Sequence, residues 1–285
     1  MKSTFRVWAM AAATVVLVTA CGGGGGGGGN SVSTIRTGTF SDSPVGGLTY
    51  VIRGVSSKTD ATGHFNYVDG DTVTFKVGDI VIGSALAKPI VTPVSLVSGA
   101  ADEMNATVTN IAKFLQTIDD DSNPSNGIQL TNAIHNAAIG RTINFAQTTG
   151  AYDADAAVTA AYVALGGHVG VTDGNAQSHL QGNLFAAIAG TYTGTYSGSG
   201  TGTFNFAVNS TGTITSGTIY QEPSHTPITI AGNIASSGAF SSIGNAGTLN
   251  GTAVTLNFVG SIDLAASTVS GTWTVTGAGI NFTGP

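Results

Sequence analysis

An acidic segment in the middle of the chain carries the residues best suited to bind a metal ion. It runs from Asp119 to Gly127 and reads Asp-Asp-Asp-Ser-Asn-Pro-Ser-Asn-Gly. Oxygen ligands at alternate positions of one tight turn are typical of the first half of a helix–loop–helix calcium loop, because a hard cation needs several converging oxygens. The candidate ligands are Asp119, Asp121, Asn123 and the carbonyl of Ser125.

The second half of this segment departs from the calcium-loop pattern. Its sixth position is Pro124, where such loops have glycine, and its twelfth is Leu130, where a bidentate glutamate is expected. Two interpretations therefore stay open: a weak calcium site, or an acidic loop that ends one helix and begins another. Apart from this weak candidate, the sequence indicates no cofactor.

Motifs for nucleophilic or metal-assisted catalysis do not occur in the sequence. A nucleophile elbow needs a glycine two residues before and two residues after a serine, and no serine has both. The histidines are scattered, without an H-E-x-x-H motif; they are His64, His135, His168, His179 and His225. A glycosidase-like carboxylate pair is possible wherever two acids converge, and in residues 190–285 it would have to be Glu222 with Asp263. We therefore predict no catalytic residues and no enzyme activity.

Three tyrosines in the last third of the chain are candidate ligand-binding residues. Tyr192, Tyr196 and Tyr220 fall on or near predicted strands, amid Ser, Gly and Asn. Tyrosines in such surroundings recognise sugars or protein surfaces at a low cost in conformational entropy. The alternative for each tyrosine is packing within the sheet.

Two β regions and a helical section must position these residues. Residues 35–98 are rich in β-branched residues with alternating polarity, and Gly-Asp turns separate the runs, which predicts a small antiparallel β-sandwich. In residues 99–189 the apolar spacing changes to three and four, which predicts helices. The first would bury Met104, Val108, Ile111, Leu115 and Ile118 and be capped by Asp102; the others would span Leu130 to Ile139, Asp153 to Leu165 and about Asn175 to Ala189.

Residues 190–285 return to alternating apolar and polar positions. Thr-Gly and Ser-Gly steps interrupt the runs about every ten residues, which predicts an antiparallel meander of seven to nine strands that buries Trp273. Exposed sheet edges favour closure into a barrel or a two-sheet sandwich. The predicted fold class is mainly β with a helical middle section.

The first residues have the layout of a secretory signal. Lys2 and Arg6 precede an apolar run of twelve residues, shorter than the roughly 20 that a membrane-spanning helix needs. The run leads to Val18-Thr19-Ala20-Cys21, which closely resembles the lipobox of bacterial lipoproteins. The resemblance implies cleavage before Cys21, the only cysteine, with a thioether-linked diacylglycerol on its sulfur and an acyl chain on its new amino terminus.

The lipobox resemblance divides the N-terminal part of the chain. Residues 1–20 would be the signal peptide, and residues 21–34 a lipidated, flexible tether with eight consecutive glycines. In lipoproteins an Asp after the cysteine favours the inner membrane; here that residue is Gly22. We therefore expect an outer-membrane, lipid-anchored protein on the periplasmic or the surface face.

A second resemblance covers the first β region. Thr59-Asp60-Ala61-Thr62-Gly63-His64-Phe65 resembles a turn of carboxypeptidase-regulatory-like and prealbumin-like β-sandwich modules. Together with Gly47-Leu48-Thr49-Tyr50 and Val91-Thr92-Pro93, it is similar to the first domain of poly-Gly bacterial lipoproteins. This resemblance implies an accessory or structural module and carries no catalytic residues to this chain.

The charge content excludes some partners. Charged residues make up 8% of the chain, against about 25% in an ordinary soluble domain. No Lys or Arg follows Arg141. A segment without cations cannot neutralise phosphates, so nucleic acid is excluded as a partner for the second half of the chain.

Two functions are compatible with these features. The first, which we expect, is a lipid-anchored envelope lipoprotein that acts as a non-catalytic, adhesin-like binding or structural module toward an envelope or extracellular protein or polysaccharide. The alternative is an envelope hydrolase or carbohydrate-processing enzyme with dispersed carboxylates. A cleft with two facing carboxylates would favour the enzyme, and a sheet without a pocket but with an exposed aromatic strip would favour the binding module.

Overall fold

A computed structural model describes residues 34–166, 170–222, 226–240, 246–249, 252–263, 268–277 and 280–284. Strands account for 42% of the described residues and helices for 25%, so the prediction of a mainly β fold with a helical middle section is confirmed. Cys21, the signal and the tether lie outside the described residues, as do His168 and His225. No helix within the described ranges has both the length and the apolar character needed to cross a bilayer.

The first β region contains eight strands. They are β1 Ile35–Phe40, β2 Val45–Gly46, β3 Thr49–Ile52, β4 Val55–Lys58, β5 His64–Val68, β6 Thr72–Val77, β7 Ile80–Leu86 and β8 Ile90–Val91. One sheet has the order β5-β1-β8 and the other β4-β3-β6-β7. All pairs in these sheets are antiparallel except β1 with β8. Aromatic rings join the two sheets: the Phe40 and Phe75 centroids are 4.6 Å apart, and those of Phe65 and Phe75 are 5.4 Å apart.

The described residues of the middle section form five α-helices and short connecting elements. The helices are α1 Ala106–Thr117, α2 Asn132–Ala137, α3 Thr149–Ala154, α4 Ala156–Ala164 and α5 Asp173–Ile188. Two 3-10 turns, Pro93–Leu96 and Pro124–Asn126, lie on either side of α1, and strand β9, Ile128–Gln129, pairs parallel to β2. Helices α1 to α4 share one apolar core with the first β region, to which Ile111 and Phe114 of α1 belong together with Phe40 and Phe75.

Two of the predicted helices differ from the observed ones. Helix α1 is capped by Asn105, whose side chain accepts from Thr107 N and Val108 N, so Asp102 and the 62% exposed Met104 precede the helix. The helix predicted from Asp153 to Leu165 is instead the end of α3 followed by α4. Asp155 has an extended backbone (φ −74°, ψ 120°) that interrupts the helix, and its side chain caps the start of α4.

The last region is a two-layer β structure with its own core. Its strands are β10 Gly190–Tyr196, β11 Thr201–Val208, β12 Ile214–Glu222, β13 Thr226–Thr229, β14 Ala239–Phe240, β15 Ala246–Leu249, β16 Thr252–Asp263, β17 Thr268–Gly277 and β18 Ile280–Gly284. The sheets have the orders β10-β11-β12-β13 and β14-β16-β17-β18, with β15 also paired to β16, and do not close into a barrel among the described strands. Trp273 is 4% exposed, as predicted.

Candidate functional site

The acidic segment after α1 folds into a loop whose carboxylates bind its own backbone. Asp119 accepts from Asn123 N at 2.9 Å and Gln129 N at 2.8 Å, and Asp121 accepts from Asn123 N at 2.9 Å and Asn126 Nδ2 at 2.7 Å. These contacts are what the acidic-loop interpretation requires, because the carboxylates accept hydrogen bonds from the donors of the turn that leads from α1 to Pro124–Asn126. Ser125 lies within that 3-10 turn.

The two aspartates of this loop influence each other. Burial, together with the neighbouring Asp121, raises the pKa of Asp119, which is 1% exposed, although backbone hydrogen bonds act against the rise. The hydrogen bond from Asn126 lowers the pKa of Asp121. Within the described ranges, no three His, Cys, Asp or Glu side chains converge on a point where a metal ion would be held.

The three candidate tyrosines belong to the last β region. Tyr192 is 8% exposed, donates to Ile188 O at 2.7 Å and stacks on Phe206, so its ring is part of the core. Tyr196 donates to Tyr220 O at 3.3 Å and meets Trp273 edge-on at 5.1 Å. Tyr192 and Tyr196 therefore have the packing role given above as the alternative.

An apolar cavity lies beside Tyr196 between the two sheets of this region. Phe204, Phe258 and Trp273 form its aromatic walls, and Gln221 is a polar residue in its lining. Its volume is about 20 Å³, room for about one water molecule. A cavity of this size is too small to bind a ligand without movement of its walls.

A serine–histidine pair joins the turn after β1 to α5. Ser43 Oγ lies 3.0 Å from His179 Nε2, and Ser43 has a left-handed backbone (φ 63°), which is uncommon for a residue other than glycine. Burial lowers the pKa of His179, so its imidazole is neutral at pH 7. Ser43 is only 5% exposed, however, and a substrate has no access to its hydroxyl in this conformation.

The best-formed site lies in the helical section, around a lysine. Lys113 is on the buried side of α1, and its ammonium group contacts Asp153 Oδ1 at 2.5 Å and Asp173 Oδ1 at 2.6 Å. Asp153 is near the end of α3, and Asp173 is in the first turn of α5, where a negative charge is favourable. Three helices thus each supply one charge.

Two tyrosines lie next to this ion cluster. Tyr152 is fully buried, and Lys113 Nζ lies 5.7 Å from the centre of its ring. The hydroxyl groups of Tyr152 and Tyr162 are 2.9 Å apart. Burial raises the pKa of both tyrosines, so both are neutral phenols at physiological pH.

The ion cluster opens into a cavity of about 510 Å³, which is within the range of small-molecule sites. Its described lining combines charged, hydroxyl and apolar side chains: Lys113, Asp153, Val158, Thr159, Tyr162, Val171, Thr172 and Asp173, with Gly170 at one side. The arrangement can bind and orient a polar ligand. We call it the Lys113 cavity.

Charge pairing fixes the protonation states in the Lys113 cavity. Burial alone would lower the pKa of Lys113, but its hydrogen bonds to Asp153 and Asp173 outweigh burial and raise that pKa above its usual value. Burial would likewise raise the pKa of Asp173, yet the Lys113 ammonium holds it below its usual range. Lys113 and Asp173 therefore stay charged at neutral pH.

Sequence reasoning missed the Lys113 cavity for a simple reason. Asp153 and Asp173 follow Lys113 in the sequence by 40 and 60 positions, and none of the three residues belongs to a motif. The only local signal is Thr172-Asp173, a helix cap followed by an acid, which indicates a helix start and nothing more.

Fold and site together define a mainly β protein with a charged cavity in its helical section. A comparison of the chain with family models, with curated proteins and with solved structures finds no match.

Proposed function

We propose that this protein is a lipid-anchored outer-membrane lipoprotein that acts by binding, with the Lys113 cavity as its binding site, and that it does not turn over a substrate. The anchor rests on the lipobox resemblance at Cys21. The sequence leads us to expect an envelope or extracellular partner, either a protein or a polysaccharide. This partner would carry the chemical group that binds in the Lys113 cavity.

One observation carries the choice of binding over catalysis. A general acid or base needs a pKa near the working pH, and a nucleophilic lysine must lose its proton. In the Lys113 cavity the shifts go the other way, because the pKa of the lysine is raised and that of Asp173 is lowered. Such groups offer fixed charges to a ligand and exchange protons with it poorly.

A second candidate function has a specific observation in its favour. Asp153 and Asp173 face one cleft, the feature named above as favouring an enzyme. Since one oxygen of each lies within 2.6 Å of the same nitrogen, these oxygens are no more than about 5 Å apart, close to the spacing of about 5–5.5 Å in retaining glycosidases. The Lys113 ammonium lowers the pKa of Asp173, whereas the acid of such a pair requires a raised pKa, so we rank this candidate second.

The anchor is tested by replacing Cys21, the only thiol, with serine. In a bacterial host, the wild-type chain should incorporate labelled fatty acid and fractionate with the outer membrane. Cys21→Ser should remain an unprocessed precursor without label. Maturation and outer-membrane retention of Cys21→Ser would contradict the anchor.

The choice between binding and catalysis is tested with the chain from Gly22 to Pro285. Pull-downs against envelope proteins and polysaccharides should capture a partner, and capture should be lost in Asp173→Asn. A panel of glycosidase, esterase and peptidase substrates should show no turnover. Turnover that copurifies with the protein and is abolished by Asp153→Asn would establish the enzyme instead.

A further inference from the structure

We propose that the Lys113 cavity recognises a small, hydroxylated ammonium compound, and specifically an amino sugar with a free amine. This inference rests on the proposed binding function and names the class of ligand for it. Three features support it: the charge that faces the opening, the hydroxyl and apolar lining, and the excess of aspartates over lysine within the described lining.

Negative charge is the first thing that an entering ligand meets. Asp153 and Asp173 have 55% and 37% of their side chains exposed, whereas Lys113 has 5%. The ammonium therefore lies behind the carboxylates, and the three groups together carry one net negative charge. Lys113 contacts one oxygen of each carboxylate, and the exposed part of Asp153 is directed to solvent, so a ligand ammonium group can share the carboxylates with Lys113.

The remaining lining fits a hydroxylated ring. Thr172 Oγ1 accepts from Asn175 N and so has its own proton to donate, and Thr159 Oγ1 donates to Asp155 O and so can accept. The pair thus offers a donor and an acceptor to ligand hydroxyls. Tyr162, with Val158 and Val171, supplies an apolar wall on which the C–H face of a ring can pack.

Lys113 is the only lysine or arginine in the described lining of the cavity. Apart from Lys113, every described lining residue follows Arg141, the last Lys or Arg of the sequence. Arg141 lies outside the lining, with its Nη1 3.5 Å from Ala160 O on α4. Within the described lining two aspartates accompany one lysine, which favours a cation over a neutral or anionic ligand.

Two sugars that differ mainly in charge provide the test. Glucosamine carries an ammonium group at pH 6, and N-acetylglucosamine carries a neutral amide at the same carbon. Each is titrated at pH 6 into the Gly22 to Pro285 chain and followed by two-dimensional NMR. We expect shifts centred on the Lys113 cavity and an affinity about tenfold higher for glucosamine, which corresponds to about 1.4 kcal/mol.

A matched pair of variants assigns the difference to one carboxylate. Asp153→Asn should weaken glucosamine binding about tenfold and affect N-acetylglucosamine binding several-fold less. Asp120→Asn makes the same change of charge on the loop after α1, outside the cavity lining, and should change neither affinity. The comparison of the two sugars on the wild-type chain needs no variant, so it stands even if Asp153→Asn folds poorly.

The outcomes separate this inference from the function on which it rests. Equal affinity for the two sugars at the cavity would overturn the ammonium class and leave the binding function standing. If neither sugar shifts a lining residue, the amino-sugar inference is overturned, and the pull-down described above decides the binding function independently. Cleavage of an amino-sugar glycoside, lost in Asp153→Asn, would overturn both.

Discussion

Asp42 is a carboxylic acid enclosed by protein in the turn after β1. It is 0% exposed, and Gln116 Nε2 lies 3.2 Å and 3.0 Å from its two oxygens. Burial raises the pKa of Asp42 to about 7, and the Gln116 hydrogen bond offsets only part of that rise. Between the ordinary pKa of 3.8 and about 7, the folded chain keeps a proton that the unfolded chain has lost, so the free energy of unfolding falls as pH rises through this range.

Replacing Asp42 with asparagine should remove this pH-dependent loss. We expect Asp42→Asn to be more stable than the wild-type chain at pH 8, by up to about 4 kcal/mol, and the gain to be smaller at pH 5. Urea denaturation at both pH values measures it. Asp120→Asn, an acid on the exposed loop after α1, is the control and should show no such difference between pH 5 and pH 8. A gain in Asp42→Asn that does not change with pH would contradict the assignment.

Residue contacts were predictable from the sequence only where they are local. The Asp60 turn is an example: its carboxylate accepts from Thr62 N at 2.9 Å and His64 N at 3.0 Å, and Gly63 takes the left-handed backbone (φ 79°) that the sequence indicated. Lys113 and Asp173 are 60 positions apart, and their contact depends on how three helices pack. Periodicity does not contain that information.

At the scale of elements, periodicity predicted which face of α1 is buried. Val108, Ile111 and Leu115 are all at most 1% exposed, as the spacing of three and four requires. The start of the helix could not be derived in the same way, because Asp102 and Asn105 are both good caps and only the fold decides between them. Asp102 instead accepts from Met104 N in the preceding turn.

Glu103, just before α1, connects three elements. It is 2% exposed, and its two oxygens accept from Gln181 Nε2 on α5 and from Ser236 Oγ, between β13 and β14, each at 2.6 Å. Ser236→Ala should lower the free energy of unfolding by about 1–3 kcal/mol, since it leaves one oxygen of a buried carboxyl without its donor.

Urea denaturation measures this effect, and the next residue supplies the control. Among the described residues, Ser237 Oγ accepts from the exposed Ala239 N at 3.3 Å, so Ser237→Ala should cost less than about 0.5 kcal/mol. Equal effects of the two replacements would show that the Glu103 contact does not join these elements.

At the scale of the whole molecule, α5 belongs to two apolar clusters. Leu180 and Leu184 pack with Val108 of α1, and Ile188 enters the core of the last β region. A rigid helix shared in this way couples the two parts of the chain. We therefore expect the last β region and the helical section to unfold together.

Trp273 makes this coupling measurable. It is the only tryptophan after Trp8, which lies in the predicted signal, so in the chain from Gly22 its fluorescence reports on the last β region alone. Its emission should be blue-shifted and poorly quenched by acrylamide. Its urea midpoint should coincide with that of far-ultraviolet circular dichroism; a fluorescence midpoint at clearly lower urea would mean independent unfolding.

The shared core of the first β region and the helices has a consequence for synthesis. Strands β1 to β8 are complete at Val91, but the last residue that packs into their core is Leu165. A ribosome adding about 5–20 residues per second needs on the order of 4–15 s to cover that interval. During this time the two sheets can cover each other, but the part of their core that α1 to α4 complete is still open, so we expect the nascent protein to be a substrate for a holding chaperone until α4 has emerged.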